Sequence, residues 1–371
     1  MTPRRPLADV LAAAADVVAV PAFAGRGDWL APSLVGVRHV VVLLVDGLGA
    51  QQLQAHPAQT PHLSPLAELG PLAAPFPATT CVSLTCLGTG LPPGMHGIVG
   101  TSFRLDDGRT LAPLSWGEDP NPIATQPEPT VLERAAAAGV VTTTAAPAKH
   151  RSSGLTRAAL RGGDYPGAES AADRVAVARA AVASARARGR TSLTYVYWPD
   201  LDKAGHVHGV ASTQYRDELA RVDDLVGALV ALTGDDVAVL VTADHGMLDV
   251  PDDRRVDLEA TAALRRGVVT ILGEPRVRHV YAARGRADEV LSTWSAVLGE
   301  RAQVLTRDAA ADLMGPVDEW HHERIGDVVA VATQDWALVS ERVDRTVSGL
   351  RGQHGGLTEA EVLVPLRLAR G

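Results

Sequence analysis

Asp46, Asp202, His206, Asp244, His245 and His354 are carboxylates and imidazoles spread along a chain of 371 residues. Borderline-soft divalent ions accept such ligands, and six of them can hold two ions with three ligands each. Between Asp46 and Asp202 stand two adjacent hydroxyls, Thr79 and Thr80, in the stretch Phe76-Pro77-Ala78-Thr79-Thr80. A hydroxyl lying between two such ions is well placed to attack phosphorus. The chemistry these residue types point to is phosphoryl transfer to water.

Each piece taken alone also has a structural explanation. Asp46 ends an apolar run and precedes Gly47-Leu48-Gly49, where it could cap the next helix or meet a ligand that the glycines let approach. Thr80, with a helix expected to begin just after it, could be a helix N-cap, and Thr79 beside it is equally hydroxylated. Either could also present its hydroxyl at a positive helix terminus, where free amides receive phosphate oxygens. Asp202 and His206 are four apart and share one face of a helical turn, with Asp200 as a competing carboxylate. Asp244-His245 follow an apolar run, where burial is costly unless they bind something. His354 lies in a glycine-rich turn, Gly352-Gln353-His354-Gly355-Gly356. His208, His321 and His322 are assigned to surface or loop roles.

The elements that must position these residues are short Val/Leu-rich runs at 40–45, 140–145, 192–197, 237–242 and 362–366. Their length and β-branching predict buried parallel strands. Segments with helical spacing at 131–138, 171–185 and 213–232 lie between them. The alternation predicts an α/β fold, a mainly parallel sheet with helices on both faces. Ligands in such sheets bind beyond the C-terminal strand ends. Asp46 follows its predicted strand directly, and Asp244 follows its own by one residue.

Residues 252–348 read as an inserted, smaller α+β cap, with strand candidates at 278–282, 303–305, 327–332 and 336–339 and a helix at 286–298. The core would then comprise 1–251 and 349–371, the run at 362–366 returning to the main sheet. Loops at 70–77 and 117–129 are candidates for the site rim.

Composition narrows the partners. Thirty-five basic residues against 43 acidic ones give a net charge of −8, which argues against binding a nucleic-acid polymer. Two cysteines, Cys81 and Cys86, are too few for a disulfide framework and lack thiolate-site spacing, so both are expected to be buried and structural. Asp9 and Asp16 interrupt the Ala/Val-rich stretch after Arg4-Arg5, leaving no clean signal-peptide core. No uncharged apolar run reaches membrane-spanning length. A cytoplasmic protein without a membrane partner is expected. Trp116, Tyr197 and Trp198 could stack a ring, although such residues near strands are usually core. The oligomeric state is not readable.

Taken in order, these motifs resemble the alkaline phosphatase superfamily, most closely its type I phosphodiesterase/nucleotide pyrophosphatase branch, from about residue 40 to 366. The resemblance implies an alkaline phosphatase-like core and a metal-dependent hydrolase. It would cleave phosphodiester or phosphoanhydride bonds of a small molecule through a phospho-threonine intermediate. Aligning Thr89-Gly90 and His96-Gly97 with the family's Thr-Gly and His-Gly makes Thr80 the nucleophile, and the family's Asp-x-x-Gly-His selects Asp202. The implied ligand sets are Asp46, Thr80, Asp244 and His245 for one ion, and Asp202, His206 and His354 for the other. Zinc is the expected metal, with manganese as the alternative. Ser83 departs from the Asn that nucleotide pyrophosphatases commonly carry three residues after the nucleophile. The sulfatase signature Cys-x-Pro-x-Arg is absent, and no phosphate-clamping Arg stands near Thr80, which favours diesters over monoesters. Phosphonate or phosphomonoester hydrolysis are the alternatives on the same site, and a non-catalytic binding protein is the reading from another class.

Overall fold

The computed structural model describes residues 4–371. Its centre is a parallel sheet built from the aliphatic runs: β1 (His39–Val45), β2 (Val141–Ala145), β3 (Ser192–Trp198) and β4 (Val237–Thr242), in the order β4-β1-β3-β2. Every residue of β1 and β4 is buried, which requires cover on both faces. Helices supply that cover. They include α1 (Thr80–Thr89), buried throughout, and α2 (Ala171–Ala187), packed on β2 and β3. Also present are α3 (Asp200–His208) and α4 (Thr213–Val230), which pack on each other. The helix α2 opens with a capping box, Ser170 and Asp173 satisfying each other's backbone N–H.

After β4 the chain builds a second, antiparallel sheet. Its strands β5 (Val268–Glu274), β6 (Val277–Ala282), β7 (Ala302–Thr306) and β8 (Val328–Ala332) lie in the order β5-β6-β8-β7. Alternation along β6 and β8 divides their side chains between two cores. Val280, Val328 and Ala330 pack with Val290, Trp294 and Leu298 of α5 (Ala287–Leu298), whereas Val277, Val329 and Val331 join the principal core. Burying Val290 and Leu298 is worth roughly 1.5–3 kcal/mol each. Strand β5 was not among the expected ones, and the run expected at 336–339 forms Ala337–Val339, which pairs with Arg255–Asp257 outside this sheet.

One expected strand is displaced. Of the run 362–366 only Leu366 enters the main sheet, as the first residue of β9 (Leu366–Arg370), antiparallel to β4, while Leu363–Val364 pairs with Leu72–Ala73. Pro365 sits at the break, where its missing N–H prevents one continuous ladder. A two-residue strand, Ala67–Glu68, edges β9, so the sheet is mainly rather than wholly parallel. No helix of the described residues is long and apolar enough to cross a membrane.

Candidate metal centre

The C-terminal ends of β1, β3 and β4 converge. Asp46 is the first residue past β1, and its N–H continues the ladder to Trp198 O at 2.9 Å. The next residue must turn sharply. Gly47 has φ +76°, and a Cβ there would lie 2.9 Å from Asp202 Cα, so glycine lets the β1 end press against α3. Asp244 and His245 follow β4, and Asp202 and His206 occupy one face of α3. His354 is delivered by a short strand, Gly352–Gln353, that pairs with Leu248–Asp249 just beyond the Asp-His pair.

Two clusters result, and they share a carboxylate. In one, Asp46, Asp202 and His245 can bring ligand atoms within 4.8 Å of one another; in the other, Asp202, His206 and His354 do so. His245 Nε2 lies 3.4 Å from Asp46 Oδ1 and 3.3 Å from Asp244 Oδ2, so Asp244 stands directly behind the first cluster. Asp244 Oδ1 is held by the N–H groups of Gly47 (3.1 Å) and His245 (3.0 Å). Its Oδ2, like Asp202 Oδ1, is buried without a hydrogen-bond partner. Thr80 Oγ1 sits at the first cluster, 3.2 Å from His245 Nε2 and 3.5 Å from Asp46 Oδ1.

The histidines are oriented alike. Nδ1 of His245 bonds Gly246 O (3.1 Å), Nδ1 of His206 bonds Gly352 O (2.7 Å) and Nδ1 of His354 bonds Ala78 O (3.0 Å). A carbonyl can only accept, so each Nδ1 carries the proton and each Nε2 presents a lone pair. The Nε2 atoms of His206 and His354 then face each other at 3.1 Å with no proton between them. Two lone pairs so placed repel unless a cation accepts both.

Electrostatics agree. Burial pushes the Asp202 carboxyl up to about 7, opposed by His206 and reinforced by Asp46. Burial and then a neighbouring carboxylate raise Asp46 and Asp244 as well. Burial lowers His245 to about 4, and burial with the neighbouring His245 and His206 drives His354 well below its ordinary value. Carboxylates whose ionisation burial opposes, crowded beside neutral imidazoles, form an environment in which a divalent cation would favour the ionised form. Unpartnered carboxylate oxygens and aligned lone pairs fit bound metal, and nitrogen-plus-oxygen ligation suits zinc or manganese.

Other sequence expectations meet different fates. Thr79, not Thr80, is the N-cap residue of α1; Thr80 is the first helical residue, and the Thr79 hydroxyl donates to Glu274 Oε2 at 3.2 Å. Asp200 is exposed, so α3 turns Asp202 inward instead. Ser83 is fully buried and donates to Asp244 O at 2.9 Å, so its hydroxyl secures the β4 end instead of facing a phosphate. His321, expected in a surface or loop role, is instead buried in a short helix with its Nδ1 3.0 Å from Gly94 O, while His208 is exposed. Trp116 and Trp198 are buried, the latter donating to Glu218 at 2.8 Å, and both cysteines are buried and free.

Tyr197 is the residue whose role composition did not reveal. Its hydroxyl donates to Asp46 Oδ2, and its ring lines a cavity of about 90 Å³ that opens beside Thr80 and is walled by Tyr165, His150, Leu155 and Leu160. The alternation of β3 could have found it, since Tyr195 and Tyr197 point to one face just before the strand end. Tyr197→Phe leaves that carboxylate oxygen without its donor, and the expected result is a roughly tenfold loss of metal affinity or kcat. Metal titration of the variant checks this; unchanged affinity and kcat would show the contact to be incidental.

Comparison with known proteins agrees with this architecture. The family model described as type I phosphodiesterase / nucleotide pyrophosphatase matches residues 40–357. Human ectonucleotide pyrophosphatase/phosphodiesterase family member 5 is 25% identical over 188 residues, 48% of this chain and 37% of that protein. The match thus spans well under half of the curated relative. Among solved structures, murine ectonucleotide pyrophosphatase / phosphodiesterase 5 superposes with a TM-score of 0.68 at 21% identity, covering 88% of this chain and 87% of that one. Phosphonoacetate hydrolase from Sinorhizobium meliloti, in complex with phosphonoformate, gives 0.68 at 19% identity, covering 90% and 91%. These likenesses establish the alkaline phosphatase-like fold, and the match over most of the chain establishes its membership: the protein belongs to the type I phosphodiesterase / nucleotide pyrophosphatase family.

Proposed function

We propose that this protein is a two-metal phosphodiesterase or pyrophosphatase acting on a small molecule, with Thr80 as the nucleophile. The observation that carries this reading is the pair of ligand clusters that share Asp202, the first of which meets the Thr80 hydroxyl. Asp46, Asp244 and His245 would hold one ion with Thr80, and Asp202, His206 and His354 the other. When bound, such ions supply positive charge to phosphoryl oxygens and bring hydroxyl or water pKa values toward neutrality.

The chain's own residues do the positioning. Thr80 Oγ1 stands at the first turn of α1, where amides without intrahelical acceptors can receive phosphate oxygens. The Thr80 oxygen attacks phosphorus in line, the P–O bond to the leaving group breaks, and a threonyl phosphate forms. Water then cleaves that ester, releasing the phosphorylated product and regenerating the hydroxyl. Tyr197 holds Asp46 in place throughout, and the buried Asp244 keeps the Gly47 and His245 amides fixed. The cavity beside Thr80, with its tyrosines and leucines, would take the group attached to phosphorus.

Phosphonate hydrolysis is the second reading. The structural likeness to phosphonoacetate hydrolase and the diversion of Ser83 to a backbone carbonyl favour considering it. A panel run on zinc- or manganese-loaded protein separates the two: bis-p-nitrophenyl phosphate, p-nitrophenyl phosphate, a nucleotide p-nitrophenyl ester and phosphonoacetate. Diester or nucleotide-ester turnover at least tenfold above the others supports the first reading. Preferential cleavage of phosphonoacetate supports the second. No turnover of any, with metal bound, removes both.

A further inference from the structure

Three residues of the antiparallel sheet lie behind the metal clusters, and the reading above gives them no role. They are Glu274, Pro275 and Arg276, the tight turn that joins β5 to β6. Both charged members are buried: Glu274 is 5% exposed and Arg276 is 0% exposed. This is an unusual place for the tip of a hairpin, which ordinarily lies in solvent.

The tip touches the segment that leads into Thr80 and, directly and through Glu361, the loop that carries His354. Glu274 Oε2 accepts the Thr79 hydroxyl at 3.2 Å, one residue before Thr80, and lies 4.0 Å from His354 Nδ1. Arg276 donates to both carboxylate oxygens of Glu361, Nε to Oε1 at 2.8 Å and Nη2 to Oε2 at 2.9 Å. Glu361 is a hub. Its side chain accepts the N–H of Gly356 at 2.8 Å, two residues after His354, and its carbonyl accepts the N–H of Gly246 at 2.7 Å, one residue after His245.

The glycines after His354 fit this docking. A Cβ at Gly355 would lie 2.8 Å from Glu274 Cδ, and one at Gly356 would lie 2.9 Å from Glu361 Oε2 and 3.1 Å from Arg276 Nη2. The space that side chains would occupy at 355 and 356 is filled by the hairpin tip and its ion pair. The Ala78 N–H to Gly355 O bond (3.0 Å) and the His354 Nδ1 to Ala78 O bond (3.0 Å) lock this loop to the segment leading into α1.

We propose that the Glu274-Pro275-Arg276 turn is a positioning element for the second metal ion. It sets the placement of His354 relative to Thr80, so the antiparallel sheet helps build the centre as well as bordering it. The inference rests on the two-ion reading. Its mechanism is the general one by which residues behind a ligand control metal affinity, commonly by ten- to a hundredfold. A salt-bridged, fully buried arginine alone would be weak evidence of such a role, because its removal destabilises any fold. The geometry at Gly355 and Gly356 ties the turn to one ligand in particular.

The test is zinc titration of metal-free protein by calorimetry, on wild type, Glu274→Ala, Arg276→Lys and His354→Ala, each first checked for a cooperative thermal transition. Glu274→Ala removes no main-chain contact, and Arg276→Lys keeps the charge but loses the fork. In the wild type two ions should bind, and His354→Ala should bind one. Glu274→Ala and Arg276→Lys should weaken the ion that His354→Ala loses about tenfold or more, change the other less than twofold, and lower kcat with KM nearly unchanged. Equal weakening of both ions, or wild-type affinities in folded variants, would overturn the proposal. Failure of the wild type to bind two ions would overturn the metal reading itself, and this one with it.

Discussion

Thr80→Ala should reduce turnover of any phosphoester substrate by at least about a thousandfold while leaving the metal content near that of the wild type. Covalent nucleophiles whose partners remain in place typically account for losses of this order or more. The side chain is small, and as the first residue of α1 it makes no cap contact, so the helix keeps its start at Thr79. Asp46, Asp202, Asp244 and the three histidines are untouched. The control is Thr79→Ala, which removes only the hydroxyl that bonds Glu274 and should retain far more activity. Intact-mass analysis of a quenched reaction should show a phosphorylated wild type and an unmodified Thr80→Ala. A Thr80→Ala protein that keeps most of its activity would assign the nucleophile elsewhere.

Metal removal should have the next largest effect, and its pH dependence follows from the buried carboxylates. Chelation should abolish activity, and zinc or manganese should restore it. Each ion at a thousandfold excess over its Kd contributes about 4 kcal/mol of stability, so the metal-free protein should melt well below the loaded one. The sign with pH is set by which groups must lose protons. Asp202, pushed up to about 7 in the metal-free protein, is protonated below that value, so an ion must displace its proton. Affinity should therefore fall by about tenfold per pH unit for that group as pH drops from 7 to 5. Asp46 and Asp244, raised by the same burial, steepen the fall. His245, lowered to about 4, stays neutral through this window and does not compete. Zinc titrations at pH 5, 6, 7 and 8 measure the slope; a flat profile between 5 and 7 would show that these carboxylates are not ligands. Full activity after exhaustive chelation would end the two-ion reading.

The parts of this centre differ in how readily the sequence discloses them. Asp46 and Asp244-His245 stand at the ends of aliphatic runs, and a parallel sheet brings strand ends to one edge, so their convergence follows from the pattern. Asp202 and His206 are legible for a local reason, the i, i+4 spacing, although only the fold shows that Asp200 faces solvent. His354 was legible by its glycines. Their purpose was not, because the groups that fill the space beside them come from a turn far away in the chain. Thr79 and Glu274 are 195 residues apart, and nothing in either local sequence predicts their contact. Strand β5 carries a β-branched signal in Val268-Val269-Thr270-Ile271, a local cue of the same kind as the runs that build the main sheet. The displaced β9 has a plain cause in Pro365, a residue that interrupts pairing without interrupting hydrophobicity.

The shared carboxylate of Asp202 has a consequence for biosynthesis. His206 and His354 are 148 residues apart, and at ribosomal rates of about 5–20 residues per second that interval takes roughly 7–30 s. Asp46 and Asp202 are made before it begins and His245 within it, so all three ligands of the first cluster precede the last histidine of the second. Ion loading would then be ordered in time, with the earlier ion already drawing on Asp202 when His354 arrives to complete the later cluster.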